Sequence, residues 1–160
     1  MTSIQVNIGD HVSPIVNPYR YIPWPQSKRR LINWARRKAK WIARTMPSAD
    51  AYFRTLPDGK SLTALLQDRS IWINYSPTMP YYGEAVISGK ELCISEKSCR
   101  VGRWTVLASL IHELAHINGA PGGHSKLAEE ALLHTGLGKQ IEKTSGIDDP
   151  DTPYDPTIEG

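Results

Sequence analysis

An α+β fold is predicted for this chain of 160 residues, and three observations predict it. A basic amphipathic helix pattern fills residues 27–46. Short alternating runs suited to strands cluster between 70 and 95. Two more helix patterns follow, near 103–118 and 125–135. Strands gathered together, rather than interleaved with helices, argue for a small mixed or antiparallel sheet and against repeated βαβ units. The length suits one domain with one core, here 27–140. An extended arm (1–26) precedes it and an acidic, loosely ordered tail (141–160) follows.

The arm holds Pro14, Pro18, Pro23 and Pro25 among Tyr19, Tyr21 and Trp24. Proline blocks helix and central strand, so an extended segment packed on the domain is expected. Ser27 is placed to cap the first helix and Pro47 to stop it. Leu31, Trp34, Ala35, Trp41 and Ile42 form its predicted inner stripe. A Pro57-Asp58-Gly59 turn leads into a short helix, SLTALLQD. SIWINYS (70–76) alternates as a strand, and EAVISGKELCIS reads as two strands joined at Ser88-Gly89.

Composition narrows the function classes. With 40% hydrophobic and 22% charged residues, the chain has the balance expected of a soluble globular protein. No run approaches the roughly 20 apolar residues of a membrane span. No secretory signal is recognisable at the N-terminus, so a cytoplasmic location, or export by a specialised system, is expected. The net charge is only +3, yet eight of the 19 Lys and Arg lie between 28 and 44. That helix is a candidate for anionic membrane or nucleic acid. The plainer expectation is a backing helix with its tryptophans inward, no nucleic-acid partner and a monomeric chain. Cys93 and Cys99 are either bridged or free; their spacing does not match a Cys-x-x-Cys pair.

The chemistry concentrates in HELAHINGAPGGHSKLAEE, residues 112–130. Leu107, Leu110, Ile111 and Leu114 recur at helical spacing and predict a core-facing stripe. His112 and His116 are one turn apart and project from another face, with small Ala108 and Ala115 beside them. Two imidazoles so placed can take two corners of a tetrahedral Zn2+ site. Glu113 lies to the side of the metal, where it can serve as general base toward water rather than as ligand. The implied reaction is amide hydrolysis, and the implied substrate a protein or peptide. The rival reading is a binding protein that uses helix 28–44 and keeps the metal for structure.

SLIHELAHINGAPGG resembles the active-site helix of the zincin metallopeptidases, over about 30 residues. That resemblance implies a zincin-like domain in which an edge strand ahead of the helix holds the substrate backbone. KELCI (90–94) is the candidate strand. It also implies a third metal ligand. Metzincins continue HExxHxxGxxH; Gly119 matches, but Gly122 stands where their third His falls. His124 follows two residues later. Gluzincins instead take a Glu from the next helix, where Glu129 and Glu130 lie. His124 is favoured, because a ligand just past a Gly turn needs no particular helix crossing, and Glu129 is the alternative. Ser125 is expected as an N-cap and His134 as a surface or supporting residue. Tyr81, Tyr82 and Tyr154 are candidates to help hold the oxyanion. By analogy with small single-domain zincins, a bacterial effector or toxin peptidase with a cognate inhibitor or delivery partner is expected.

Overall fold

The computed structural model describes residues 3–123 and 125–137. Arg29–Thr45 forms the first helix, α1, and buries Ile32, Ala35, Ala39, Ile42 and Ala43. Those positions recur at helical spacing and face α5 (Arg103–Ile117). Leu31 and Trp34 are half-buried at the margin of this face. Trp41, expected inside, is 45% exposed. Its ring lies 3.9 Å from the Lys38 Nζ instead. Ser27 does not cap the helix, because it sits in a 3-10 turn at Gln26–Lys28, and Lys28 takes the cap position. Pro47 ends α1 but also opens an unpredicted helix, α2 (Pro47–Arg54). At the first position of a helix proline lacks only an N–H that has no partner, and its φ is already helical. Ser61 caps the expected short helix, α3 (Leu62–Leu66), by accepting from the Ala64 N–H at 3.0 Å.

The sheet is small, open and mixed. Its strands are β1 (Gln5–Val6), β2 (Trp72–Ser76), β3 (Gly83–Ala85) and β4 (Glu91–Ser95), in the order β1-β2-β4-β3. β1 and β4 pair parallel to β2, and β3 pairs antiparallel to β4. The EAVISGKELCIS run is therefore a hairpin, with Ser88 at positive φ in its turn. KELCI is not the edge strand expected to hold substrate. It lies between β2 and β3, and all of it but the exposed Lys90 is buried. Among the described residues, the edge on this side belongs to β3.

The N-terminal segment does more than cover the domain. Gln5–Val6 extends the sheet, Ile22 bridges to Tyr75, and Ile4 and Trp24 are buried in the main core. The Trp24 indole donates to the Ile73 carbonyl at 3.2 Å. Behind the sheet, Asn7 donates to Asn74 (2.8 Å) and Asn74 to Glu91 (3.1 Å). His11 stacks on Trp72 with ring centres 4.2 Å apart and meets the Glu91 carboxylate at 3.0 Å. A buried polar ladder of this kind is tolerated because each amide finds a partner.

A second unpredicted helix, α4 (Glu96–Val101), follows β4 directly, capped where Ser95 accepts from the Ser98 N–H. Cys93 points to the arm side of the sheet, against Tyr21 and Met79, while Cys99 belongs to the main core. The two are therefore free thiols. Burial pushes the Cys99 thiol up to about 12 and raises Cys93 too, so neither offers a thiolate near neutrality. α6 (Leu127–His134) completes the six α-helices among the described residues. No described helix is long and apolar enough to cross a membrane. The tail expected at 141–160 lies outside the described residues.

One surface pair gives a pH prediction. Burial alone raises the Asp68 carboxyl, but the Lys90 ammonium at 2.8 Å and bonds from Ser70 outweigh it and bring it down to about 2. A carboxylate depressed in the folded state stabilises above its unfolded pKa, and that contribution fades as pH falls toward 2. Asp68→Asn should therefore lower stability above about pH 4 by under about 1 kcal/mol, given solvent screening. Acid titration followed by circular dichroism should show the two proteins converging near pH 2.

Candidate metal centre

The His-bearing helix is nearly all buried. Leu107, Leu110, Ile111 and Leu114 are fully buried as expected, and Ala108 and Ala115 pack with them. His112 and His116 remain at the surface of a cavity of about 350 Å³. Their Nε2 atoms are 3.2 Å apart. Two imidazole nitrogens held tetrahedrally at about 2.0–2.1 Å from one zinc would be about 3.3–3.4 Å apart, so the spacing fits a shared cation. The donor atoms of His112, Glu113 and His116 all lie within 4.8 Å of one another, a candidate metal-binding triad.

The outer ring nitrogens fix which atom faces inward. His116 Nδ1 is 2.7 Å from the Ala120 carbonyl, which can only accept. His112 Nδ1 is 2.9 Å from Glu129 Oε1. Each Nδ1 therefore donates, and the two Nε2 atoms are left facing each other across the cavity. Burial holds the His116 pKa low. A shared cation would fit between these two nitrogens. Carboxylate and carbonyl partners on the far nitrogen are the usual outer support of histidine ligands.

The Ala120 carbonyl arrives there because of the helix stop. Gly119 takes φ +93°, and the Gly119 and Ala120 N–H groups bond back to the His116 and Ala115 carbonyls at 2.9 Å. A side chain at 119 would meet Pro57 and Asp58 within about 3 Å. Asn118, fully buried, ties that Pro-Asp-Gly turn to the helix end. It donates to the Phe53 and Lys60 carbonyls at 2.8 Å each and accepts from the Lys60 N–H at 3.1 Å.

Glu113 is 2% exposed. Burial drives its carboxyl up to about 8; His112 pulls it down, and the Glu84 and Glu129 carboxylates push it further up. Three acids beside two facing imidazole nitrogens make an environment suited to a cation. β3 closes over this carboxylate at Gly83, where a Cβ would lie 2.7 Å from the Cys93 carbonyl oxygen and 2.9 Å from Glu113 Oε2. Gly83→Ala should therefore destabilise the protein by about 1–3 kcal/mol, as overpacking does. A urea melt measures the loss.

No family model, curated protein or solved structure matches this chain.

The remaining sequence candidates separate cleanly. Glu129 lines the cavity, and its carboxylate meets the far nitrogen of His112 at 2.9 Å. Glu130 is exposed and acts on the Tyr52 hydroxyl. His124 lies outside the described residues; Gly123 and Ser125, on either side of it, line the cavity. Ser125 is not the N-cap of α6, which is Lys126, although its hydroxyl accepts from the Leu127 N–H. His134 is exposed and stacked on Tyr52, away from the cavity. Tyr81 stands on the cavity wall, 46% exposed, whereas Tyr82 is buried with the Lys97 ammonium 4.9 Å from its ring centre. Tyr154 lies outside the described residues. Sequence reasoning missed Glu84. It lines the cavity from β3 and accepts from the Tyr21 hydroxyl at 2.8 Å. Only its place in an edge strand marks it, and pairing decides that place.

Proposed function

We propose that this protein is a zinc-dependent endopeptidase of the zincin type. The observation that supports it most is the converging Nε2 pair of His112 and His116, each with its other nitrogen already committed, beside the buried carboxyl of Glu113. In this reading His112 and His116 hold the metal and His124 supplies the third protein ligand. Zinc, when bound, contributes Lewis acidity and lowers the pKa of coordinated water to about 7. Glu113 takes the proton of the attacking water and returns it to the leaving amine. Its apolar burial keeps competing water away from that proton.

β3 orients the substrate. Tyr82 and Val86 bond inward to β4, and alternation then turns the main-chain groups of Gly83 and Ala85 outward. An extended peptide added along that edge would lie across the cavity mouth. Tyr81, on the same wall, is the candidate to steady the oxyanion. The test pairs metal analysis with hydrolysis of a quenched-fluorescent peptide library. One zinc per chain is expected, with activity lost to a chelator and regained with zinc. A protein that binds zinc stoichiometrically yet cleaves no peptide or protein would overturn the reading.

A further inference from the structure

The outer face of α1 is the largest feature that the cleft leaves unexplained. From residue 11 to residue 49 the chain contains no Asp or Glu, and α5 has none before Glu113. Some cations of α1 are engaged locally. Lys28 pairs with Glu96, Arg36 donates to the Ile4 carbonyl and Lys40 donates to Ser3. Arg30, Arg37 and Arg103 are exposed, and no carboxylate among the described residues forms a salt bridge with them. All three border a shallow cavity of about 410 Å³ between α1 and α5, floored by Asn33 and Trp34.

The residues on this face are arranged, not scattered. Arg30, Trp34, Arg37, Trp41 and Arg44 follow one another at alternating steps of four and three, so guanidinium and indole alternate along one stripe. Across the helices they continue as a ladder. The Arg103 guanidinium lies 4.9 Å from the Trp34 ring centre, Trp34 meets Trp104 edge-on at 5.2 Å, and the Lys38 Nζ lies 5.8 Å from Trp104 and 3.9 Å from Trp41. A guanidinium stacked on an aromatic ring uses its face and keeps its in-plane N–H donors. The ladder therefore holds Arg103 and Lys38 against rings beside the exposed Arg30 and Arg37.

We propose that this groove binds single-stranded nucleic acid, with Arg30, Arg37 and Arg103 on backbone phosphates and Trp41 stacking on a base at the rim. Forked guanidinium donors match phosphate oxygens. Basic grooves interleaved with aromatic rings are how single strands are held without sequence preference. A bilayer fits less well, because Trp34 and Trp104 are recessed and only Trp41 stands out. A duplex hides its base faces and leaves Trp41 nothing to stack on. An acidic peptide would use the arginines but not the indole. The groove is separate from the cleft: Arg103 precedes His112 by nine residues, about 13 Å along the helix axis.

Fluorescence anisotropy of a labelled 12-nucleotide oligo(dT) with the full chain tests this. Binding is expected at 50 mM salt, weakening with a slope of about −2 in log K against log salt for three phosphates. Arg37→Ala with Arg103→Ala should weaken binding at least about tenfold and flatten the slope by about 1.4. Trp41→Ala should weaken it about tenfold with the slope unchanged. Circular dichroism checks folding, and Arg37→Gln alone, expected to flatten the slope by about 0.7, serves if the double variant melts early. No binding at 50 mM salt overturns the proposal, as does an unchanged affinity in the arginine variants. Equal affinity for a duplex, for polyglutamate or for phosphatidylserine vesicles overturns it in favour of a general anion surface, and an unaffected Trp41→Ala removes the stacked base.

Discussion

Glu113→Gln should leave the fold and zinc binding intact while lowering peptide hydrolysis about 10²–10⁴-fold, the usual size of a general-base contribution. The substitution keeps the shape of a side chain that is buried under β3 at Gly83, so packing is preserved and only proton transfer is lost. The variant also carries a stability signature. In the metal-free protein the Glu113 carboxyl is raised from 4.5 to about 8. The folded state then holds a proton that the unfolded state has released, so stability falls as pH rises from about 4.5 to about 8. Glutamine has no proton to lose. Thermal melts of chelator-treated protein should show the variant gaining on the wild type across that interval. Full activity in the variant would remove Glu113 from the chemistry.

Glu129→Ala should weaken zinc binding about 10–100-fold, as loss of an outer-shell partner does. The carboxylate holds the His112 ring by its Nδ1 at 2.9 Å. Without it the ring can rotate, and the tautomer that aims Nε2 at His116 loses its support. Competition titration against a zinc chelator measures the change. Glu129→Gln should lie between the two, since its amide oxygen still accepts the Nδ1 proton but carries no charge. Were Glu129 a direct ligand, both variants would instead lose zinc to the extent that His116→Ala does.

The sequence showed the helix and its chemistry more clearly than the wall that faces them. His112, Glu113 and His116 are legible because a helix has a fixed period, so spacing alone places their side chains. β2, β3 and β4 were visible as strands, but their order was not, since which neighbours pair is decided by contacts distant in sequence. That is why KELCI looked like an edge and proved central. β1 hid in a proline-rich stretch, where two residues suffice to extend a sheet but leave no pattern. α4 is only six residues long and abuts β4, so its period never emerged from the strand before it. Trp41 was assigned inward from its apolar character, whereas the helix places it over the shoulder, with the Lys38 ammonium beside its ring. For the third ligand, the sequence left His124 and Glu129 open; the Glu129 carboxylate lies against His112 Nδ1, and His124 lies outside the described residues.

The turn at Gly119 and Ala120 sets a limit on what side-chain scanning can reveal about this centre. The group that fixes the His116 tautomer is a main-chain carbonyl, present whatever residue occupies position 120. Replacing Ala120 leaves that oxygen in place, and His116 is steered wherever the helix stops in this way. Its orientation is thus inherited from the course of the chain, while that of His112 depends on one replaceable carboxylate. The two histidines differ in vulnerability: one can be loosened by a single substitution in α6, the other only by rebuilding the end of the helix.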